Sequence, residues 1–215
     1  NNDISKAPQA DLIADSISIA FQGISLAGDD TSATVRYNLD DMQRYLSYTV
    51  EIQNGGEKIR QVAIDEALRC DGDLFRIGAT EGALFAEDEY FGQCYLFRID
   101  DREVKRAGSG RKILIQPIND KTLDIASGES SSWSGRVYCS QSLMGAKNLM
   151  LATKENPVEK LQFLVRSNGP SGPVAHAPVE FLRDGESVGT AQTNEEGWIR
   201  TSLTPGKYSA KVKAT

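Results

Sequence analysis

The sequence predicts an all-β fold built from two consecutive antiparallel β-sandwiches. The dominant periodicity is two: in RYLSYTVEIQNGG, the apolar residues Leu46, Tyr48, Val50 and Ile52 alternate with polar residues and end at an Asn-Gly-Gly turn. Short segments of this kind recur along the chain, separated by Gly, Asn and Pro. Such spacing is typical of strands joined by tight turns.

The same alternation predicts further strands in the segments QCYLFRID, RKILIQPI and SSWSGRVYCS. The glycines after Asn54 predict a hairpin that returns the chain to the next strand. The charged and Gly-rich segment from Asp100 to Lys112 is expected to be a solvated hairpin tip. In SLMGAKNLMLATKENPVEKL, one or two helical turns are favoured, and Gly145 and Pro157 limit their length.

The length and the change of pattern near Lys154 predict two domains. A flexible N-terminal segment is expected over residues 1–12, a first sandwich over 13–153 and a second over 158–215. Because the N-terminus NNDISKAPQA has neither an initiator Met nor an apolar stretch, we interpret it as a processed or excised start. If a signal peptide or an anchor exists, it is expected outside this sequence.

Composition narrows the classes of partner. The 215-residue chain has a net charge of −6, and its acidic and basic residues are interspersed. Nucleic acid and anionic lipid are therefore not expected as partners, because both favour a basic surface. No apolar run is long enough for a membrane-spanning helix, so no direct membrane insertion is expected.

Two parts of the chain carry a resemblance to known families. The segments Tyr48–Leu68 and Leu123–Cys139 resemble the immunoglobulin-like conserved-repeat and adhesion-related sandwich domains of bacterial and archaeal surface proteins. In the segment from Pro178 to Val212, we expect Val179 and Phe181 to face a core and Asp184 with Gly185 to form a tight hairpin turn. This segment resembles the prealbumin-like, collagen-adhesin B-type domains of such proteins. The stretch from Arg69 to Gln93 departs from the first pattern. Both resemblances imply β-sandwich domains, and neither specifies one function.

Some collagen-adhesin domains form an isopeptide bond between Lys and Asn, beside a buried acid. Here Lys160 and Glu180 could take two of these roles. Asn194 is predicted to lie in a turn, so the acceptor that the resemblance requires on the last strand is missing. Lys160 is expected to be an ordinary solvated side chain.

The three cysteines are Cys70, Cys94 and Cys139, and no two of them form a C-x-x-C pair. That spacing makes a zinc site improbable. The sequence leaves two interpretations open, which are buried thiols and a disulfide. For a disulfide, the favoured pair is Cys70 with Cys94, because both flank a loop-rich stretch.

Acidic residues in the same stretch could bind calcium between loops, because carboxylate oxygens are its usual ligands. The candidates are Asp71, Asp73, Glu87, Asp88 and Glu89. The alternative is that they are solvated turn residues that keep the protein soluble. Apart from calcium, no cofactor is predicted.

Tyr90 and Phe91 are the best candidates for a ligand-binding surface, because acidic residues and Gly surround them and favour their exposure. Trp198 is the second choice. The only histidine, His176, lies in a Pro- and Gly-rich segment before a predicted strand. Because the chain has no G-x-S-x-G nucleophile motif, His176 is expected to be a loop or interface residue and the chain is not expected to be an enzyme.

These observations predict a non-catalytic structural or adhesion module of a secreted, periplasmic or cell-surface bacterial protein. Its role would be spacing, display or assembly of a surface structure such as a pilus, with a protein partner or a surface glycan. The alternatives are a carbohydrate-binding or enzyme-accessory module and, less favoured, a periplasmic assembly chaperone.

Overall fold

The all-β fold predicted from the sequence is confirmed by a computed structural model of the chain. It describes residues 9–13, 16–23, 30–40, 45–64, 66–69, 75–88, 90–107, 112–169 and 172–213. The strands are β1 (Gln9–Ile13), β2 (Ser16–Gly23), β3 (Thr31–Asp40), β4 (Tyr45–Asn54), β5 (Arg60–Ala63), β6 (Glu66–Arg69), β7 (Arg76–Thr80), β8 (Ala83–Asp88), β9 (Gln93–Ile99), β10 (Val104–Ala107), β11 (Lys112–Pro117), β12 (Thr122–Ile125), β13 (Ser130–Ser140), β14 (Glu159–Leu164), β15 (Pro178–Arg183), β16 (Glu186–Gln192), β17 (Trp198–Leu203) and β18 (Tyr208–Val212). One helix, α1 (Leu143–Leu151), lies between β13 and β14.

The strands form antiparallel sheets. The largest has the order β1-β2-β3-β4-β13-β9-β8-β7, and the smaller ones are β10-β11-β6, β12-β5, β14-β17 and β16-β15-β18. Contacts divide the chain into two compact units, each described by itself. The first contains residues 1–69, 79–84 and 97–137, and the second contains 70–78, 85–96 and 138–215. Residues 1–8 of the expected N-terminal segment lie outside the described residues, and the predicted domain bounds stay a prediction.

In the first unit, β4 has the half-buried alternation that its sequence predicts. Val50, Ile52 and Asn54 are buried, and β4 pairs with β3 so that Val35 lies opposite Val50. The predicted hairpin after Asn54 is wrong, because β5 pairs with β12 instead of returning along β4. The chain therefore leaves one sheet and enters another at this point.

Asn54 explains why the chain does not form a hairpin tip there. Its side chain is fully buried, and Nδ2 donates to the carbonyl oxygens of Lys58, Ile125 and Ala126 at 2.7, 2.9 and 3.2 Å. Its Oδ1 accepts from the N–H of Gly56 at 3.0 Å. The amide thus provides partners for the backbone of two loops, which buried carbonyl groups require.

The segment from Asp100 to Lys112 contains more structure than a hairpin tip. It includes β10, which pairs with β11 and has Val104 buried. Residues 108–111, where the tip was expected, lie outside the described residues. A single buried apolar residue among charged neighbours is a weak signal, so the periodicity alone could not identify this short strand.

The second unit packs α1 against its strands. Ser142 caps the helix, and its Oγ accepts from the N–H of Gly145 at 3.2 Å. Gly145 lies inside the helix and does not end it. A Cβ at this position would overlap Ser140 and lie 3.1 Å from Thr201 Oγ1. Close approach of the helix to its neighbours accounts for this glycine.

The apolar core of this unit confirms that Val179 and Phe181 face inward. The core cluster consists of Met144, Val179, Phe181, Ala191, Ile199 and Leu203. The predicted turn between β15 and β16 is also present, since Asp184 and Gly185 have φ angles of 52° and 86°. Two positive φ values in succession are what a tight two-residue hairpin turn needs.

The role of Asn54 is testable by substitution. Asn54→Ala should lower the free energy of unfolding by about 3 kcal/mol, because three backbone carbonyl oxygens lose their donor. Equilibrium unfolding in urea measures this loss. Gln53→Ala, at the exposed neighbouring position, should change the stability by less than about 0.5 kcal/mol. Equal stability of the two variants would contradict this role of Asn54.

Candidate functional site

Glu87 and Asp88, two of the calcium candidates, are buried at the end of β8. Glu87 forms an ion pair with Arg76 of β7, and its Oε1 accepts from the N–H of Leu143 at 2.6 Å. The carboxylate therefore compensates a cation and the positive N-terminal end of α1 together. Both interactions are internal to the second unit.

Asp88 shapes the turn that follows. Its Oδ1 accepts from the N–H groups of Tyr90 and Phe91 at 3.0 and 3.1 Å. A side-chain oxygen that bonds to the backbone two and three residues further on fixes a turn locally. The acidic residue thus holds the two aromatic residues at the tip between β8 and β9.

The other calcium candidates, Asp71, Asp73 and Glu89, lie outside the described residues. Among the residues that the structure does describe, no group of three or more His, Cys, Asp or Glu side chains could hold a metal ion. Calcium binding by the full set stays a prediction.

Tyr90 and Phe91 are exposed, as predicted, with 54% and 64% of their surfaces accessible. Their rings meet edge to face, with centroids 5.0 Å apart. The imidazole of His176 stacks on the ring of Tyr90, with ring centroids 4.8 Å apart and ring planes inclined by 9°. We call Tyr90, Phe91 and His176 the aromatic corner.

The backbone holds His176 in place within the aromatic corner. Its N–H donates to Thr193 O at 3.1 Å, and its carbonyl oxygen accepts from Gln192 Nε2 at 2.9 Å. The residue has a φ of 53°, which is unfavourable for a side chain other than Gly or Asn. Its Nδ1 is buried and has no hydrogen-bond partner among the described residues. A strained residue with an unpaired polar atom is typical of functional sites.

A cleft of about 520 Å³ opens beside His176. One wall is formed by α1 and the two residues before it, another by β16, and the remainder by Arg76, Glu87, His176 and Pro178. Its polar side chains include Gln141, Lys147, Thr190 and Gln192. The sequence analysis missed these residues, because they come from segments far apart in the chain and carry no motif.

The structure does not show the disulfide favoured between Cys70 and Cys94. Cys94 is a buried free thiol, and Cys70 lies outside the described residues. Burial and the nearby negative charge of Glu87 raise the pKa of the Cys94 thiol well above its usual range. Desolvation also raises the pKa of Cys139, which is more exposed. Raised pKa values keep both groups as weakly nucleophilic thiols at neutral pH.

The remaining residues named from the sequence take structural positions. Asn194 lies in a turn, as predicted, and its Oδ1 accepts from the N–H groups of Glu196 and Trp198 at 3.1 and 2.8 Å. Trp198 is half-buried at the start of β17. Lys160 is exposed on β14, and Glu180 lies 3.8 Å from the ammonium group of Lys213.

Comparisons with known proteins identify no family. No protein-family model matches the sequence, and no curated protein matches it either. Over the described ranges, no helix is long and apolar enough to cross a membrane.

Several solved structures are distantly similar. A TPR-domain containing protein from Parabacteroides distasonis ATCC 8503 aligns at 14% identity and a TM-score of 0.49, over 63% of this chain and 34% of that one. The Slr1438 protein from Synechocystis sp. PCC 6803 aligns at 10% identity and a TM-score of 0.43, over 63% and 66%. The polysaccharide lyase BACCELL_00875 aligns at 12% identity and a TM-score of 0.38, over 96% and 33%. The chain thus spans about a third to two thirds of the length of these proteins.

The contacts of Glu87 predict a large effect of its removal. Glu87→Ala should lower the free energy of unfolding by about 2–3 kcal/mol, because Arg76 and the Leu143 N–H both lose their acceptor. Glu87→Gln keeps an oxygen for the N–H group and should cost less. Urea unfolding measures both changes, and the exposed Glu159→Ala serves as the control. A loss no greater than that of the control would show that these contacts do not stabilise the unit.

Proposed function

We propose that this chain is a non-catalytic adhesion module of a secreted, periplasmic or cell-surface protein, and that its aromatic corner contacts a surface glycan. The observation that supports this most is the pair of exposed rings, Tyr90 and Phe91, held on a fixed turn. Exposed apolar surface is unfavourable in water, so a rigid aromatic pair at a turn is typical of a contact site.

The geometry of the aromatic corner favours a glycan over a flat protein surface. Sugars present C–H faces that pack on aromatic rings, while their hydroxyl groups need polar partners close by. The rings of Tyr90 and Phe91 provide an aromatic surface for the C–H faces, and the polar cleft beside His176 provides partners for the hydroxyl groups. A protein partner that assembles a surface structure such as a pilus is the alternative.

A binding role also fits the way in which the acidic and imidazole groups are used. Glu87 pairs with Arg76 and a helix N-terminus, Asp88 holds the turn, and His176 stacks on Tyr90. Each group therefore positions another part of the aromatic corner or its support. In our proposal the chain comprises an immunoglobulin-like and a prealbumin-like sandwich that carry this surface. The function of such a module is mechanical support and contact with a partner.

The experiment is binding of the purified protein to an immobilised panel of neutral and acidic polysaccharides. The double variant Tyr90→Ala/Phe91→Ala should lose at least about tenfold in affinity, because a ring in contact contributes roughly 1 kcal/mol or more beyond its buried area. Val212→Ala removes an exposed apolar side chain elsewhere and should bind as the wild type does.

Circular dichroism and a thermal melt show whether each variant remains folded. Unchanged binding by a folded double variant would rule out the aromatic corner as the contact. If the wild type binds none of the polysaccharides, the glycan-binding proposal is wrong and the alternative is a protein partner.

A further inference from the structure

The cleft beside His176 has a positive balance of charge. Of the described side chains that line it, Arg76 and Lys147 are cationic and Glu87 is anionic. The chain as a whole has a net charge of −6. A local excess of positive charge on an acidic protein favours an anionic ligand at this place.

The carboxylate of Glu87, which lines the cleft, does not cancel this preference. Glu87 is only 5% exposed at its side chain, and its two oxygens are engaged by Arg76 and the Leu143 N–H. Arg76 remains 56% exposed at its side chain, so its guanidinium can meet a further anion. Lys147 lies on α1, one turn after the Leu143 N–H that Glu87 engages.

The neutral polar groups fit a ligand with hydroxyl groups. Gln141 Oε1 accepts from the Arg200 N–H at 3.1 Å, and Gln192 Nε2 donates to His176 O at 2.9 Å. These bonds hold both amides in place and use one polar atom of each, which leaves the other for a ligand. A volume of about 520 Å³ lies within the range of small-ligand sites and admits one or two sugar residues.

His176 belongs to the aromatic corner and to the cleft at once. Its ring stacks on Tyr90 and also lines the cleft, and its Nδ1 is buried with no partner among the described residues. A chain lying across Tyr90 and Phe91 would bring its end residue to the cleft.

We infer that the cleft binds an acidic sugar, that is, a sugar residue that carries a carboxylate, with Arg76 and Lys147 recognising that group. The inference rests on the proposed glycan-binding function and specifies its ligand class. Charge-assisted hydrogen bonds to a carboxylate are stronger than those to a hydroxyl group, so the acidic sugar should bind better than its neutral counterpart.

Isothermal titration calorimetry with soluble sugars tests this inference on the full chain. Oligomers of galacturonate and of galactose of equal length are the matched pair of ligands. The acidic oligomer should bind at least about tenfold more tightly, and added salt should reduce that advantage. Lys147→Gln should lower the affinity for the acidic oligomer about fivefold or more, and it should lower the affinity for the neutral oligomer much less.

The control variant is Lys160→Gln, which removes an exposed lysine of β14 and should change neither affinity. Equal affinity for the acidic and neutral oligomers would overturn the inference while glycan binding stands. The inference would also fail if Lys147→Gln and Lys160→Gln behaved alike. If neither oligomer binds, the inference fails, and the glycan-binding proposal is then decided by the polysaccharide panel alone.

Discussion

The pairing of the buried Glu87 carboxylate is the interaction on which the proposed binding surface depends. A buried carboxylate requires compensation, and here Arg76 of β7 and the first turn of α1 provide it. One side chain thus joins an edge strand, the neighbouring strand β8 and the helix. Glu87, Arg76 and the first turn of α1 all line the cleft, so this pairing fixes one part of its wall. Burial of the same region also keeps Cys94 protonated.

The exposed part of the surface is an extension of that buried arrangement. Directly after Glu87, Asp88 fixes the turn by accepting from two backbone N–H groups, and the turn presents Tyr90 and Phe91. His176, held by Thr193 and strained at a φ of 53°, supports the ring of Tyr90. Rigid aromatic rings lose little conformational entropy when they bind, which is the physical advantage of such support.

The sequence predicts the elements better than their partners. Alternation in β4 and the positive-φ turn at Asp184 and Gly185 are local properties, and both are present as predicted. The hairpin after Asn54 was wrong because burial of that side chain and its bonds to Ile125 and Ala126 depend on residues about seventy positions away. Exposure of Tyr90 and Phe91 followed from their polar neighbours. The cleft residues Arg76 and Lys147 could not be predicted, since only the folded unit brings them to one site.

His176 allows the central claim to be tested at a single position, because it is the only histidine of the chain. The measurement is an NMR titration that follows its ring nitrogen and carbon signals in the histidine-labelled protein as acidic oligosaccharide is added. Binding of the sugar beside His176 predicts a saturable shift of these signals, much larger than with the neutral oligomer. Signals that stay unchanged while calorimetry or any other probe reports saturation would contradict the account, since the ligand would then bind elsewhere.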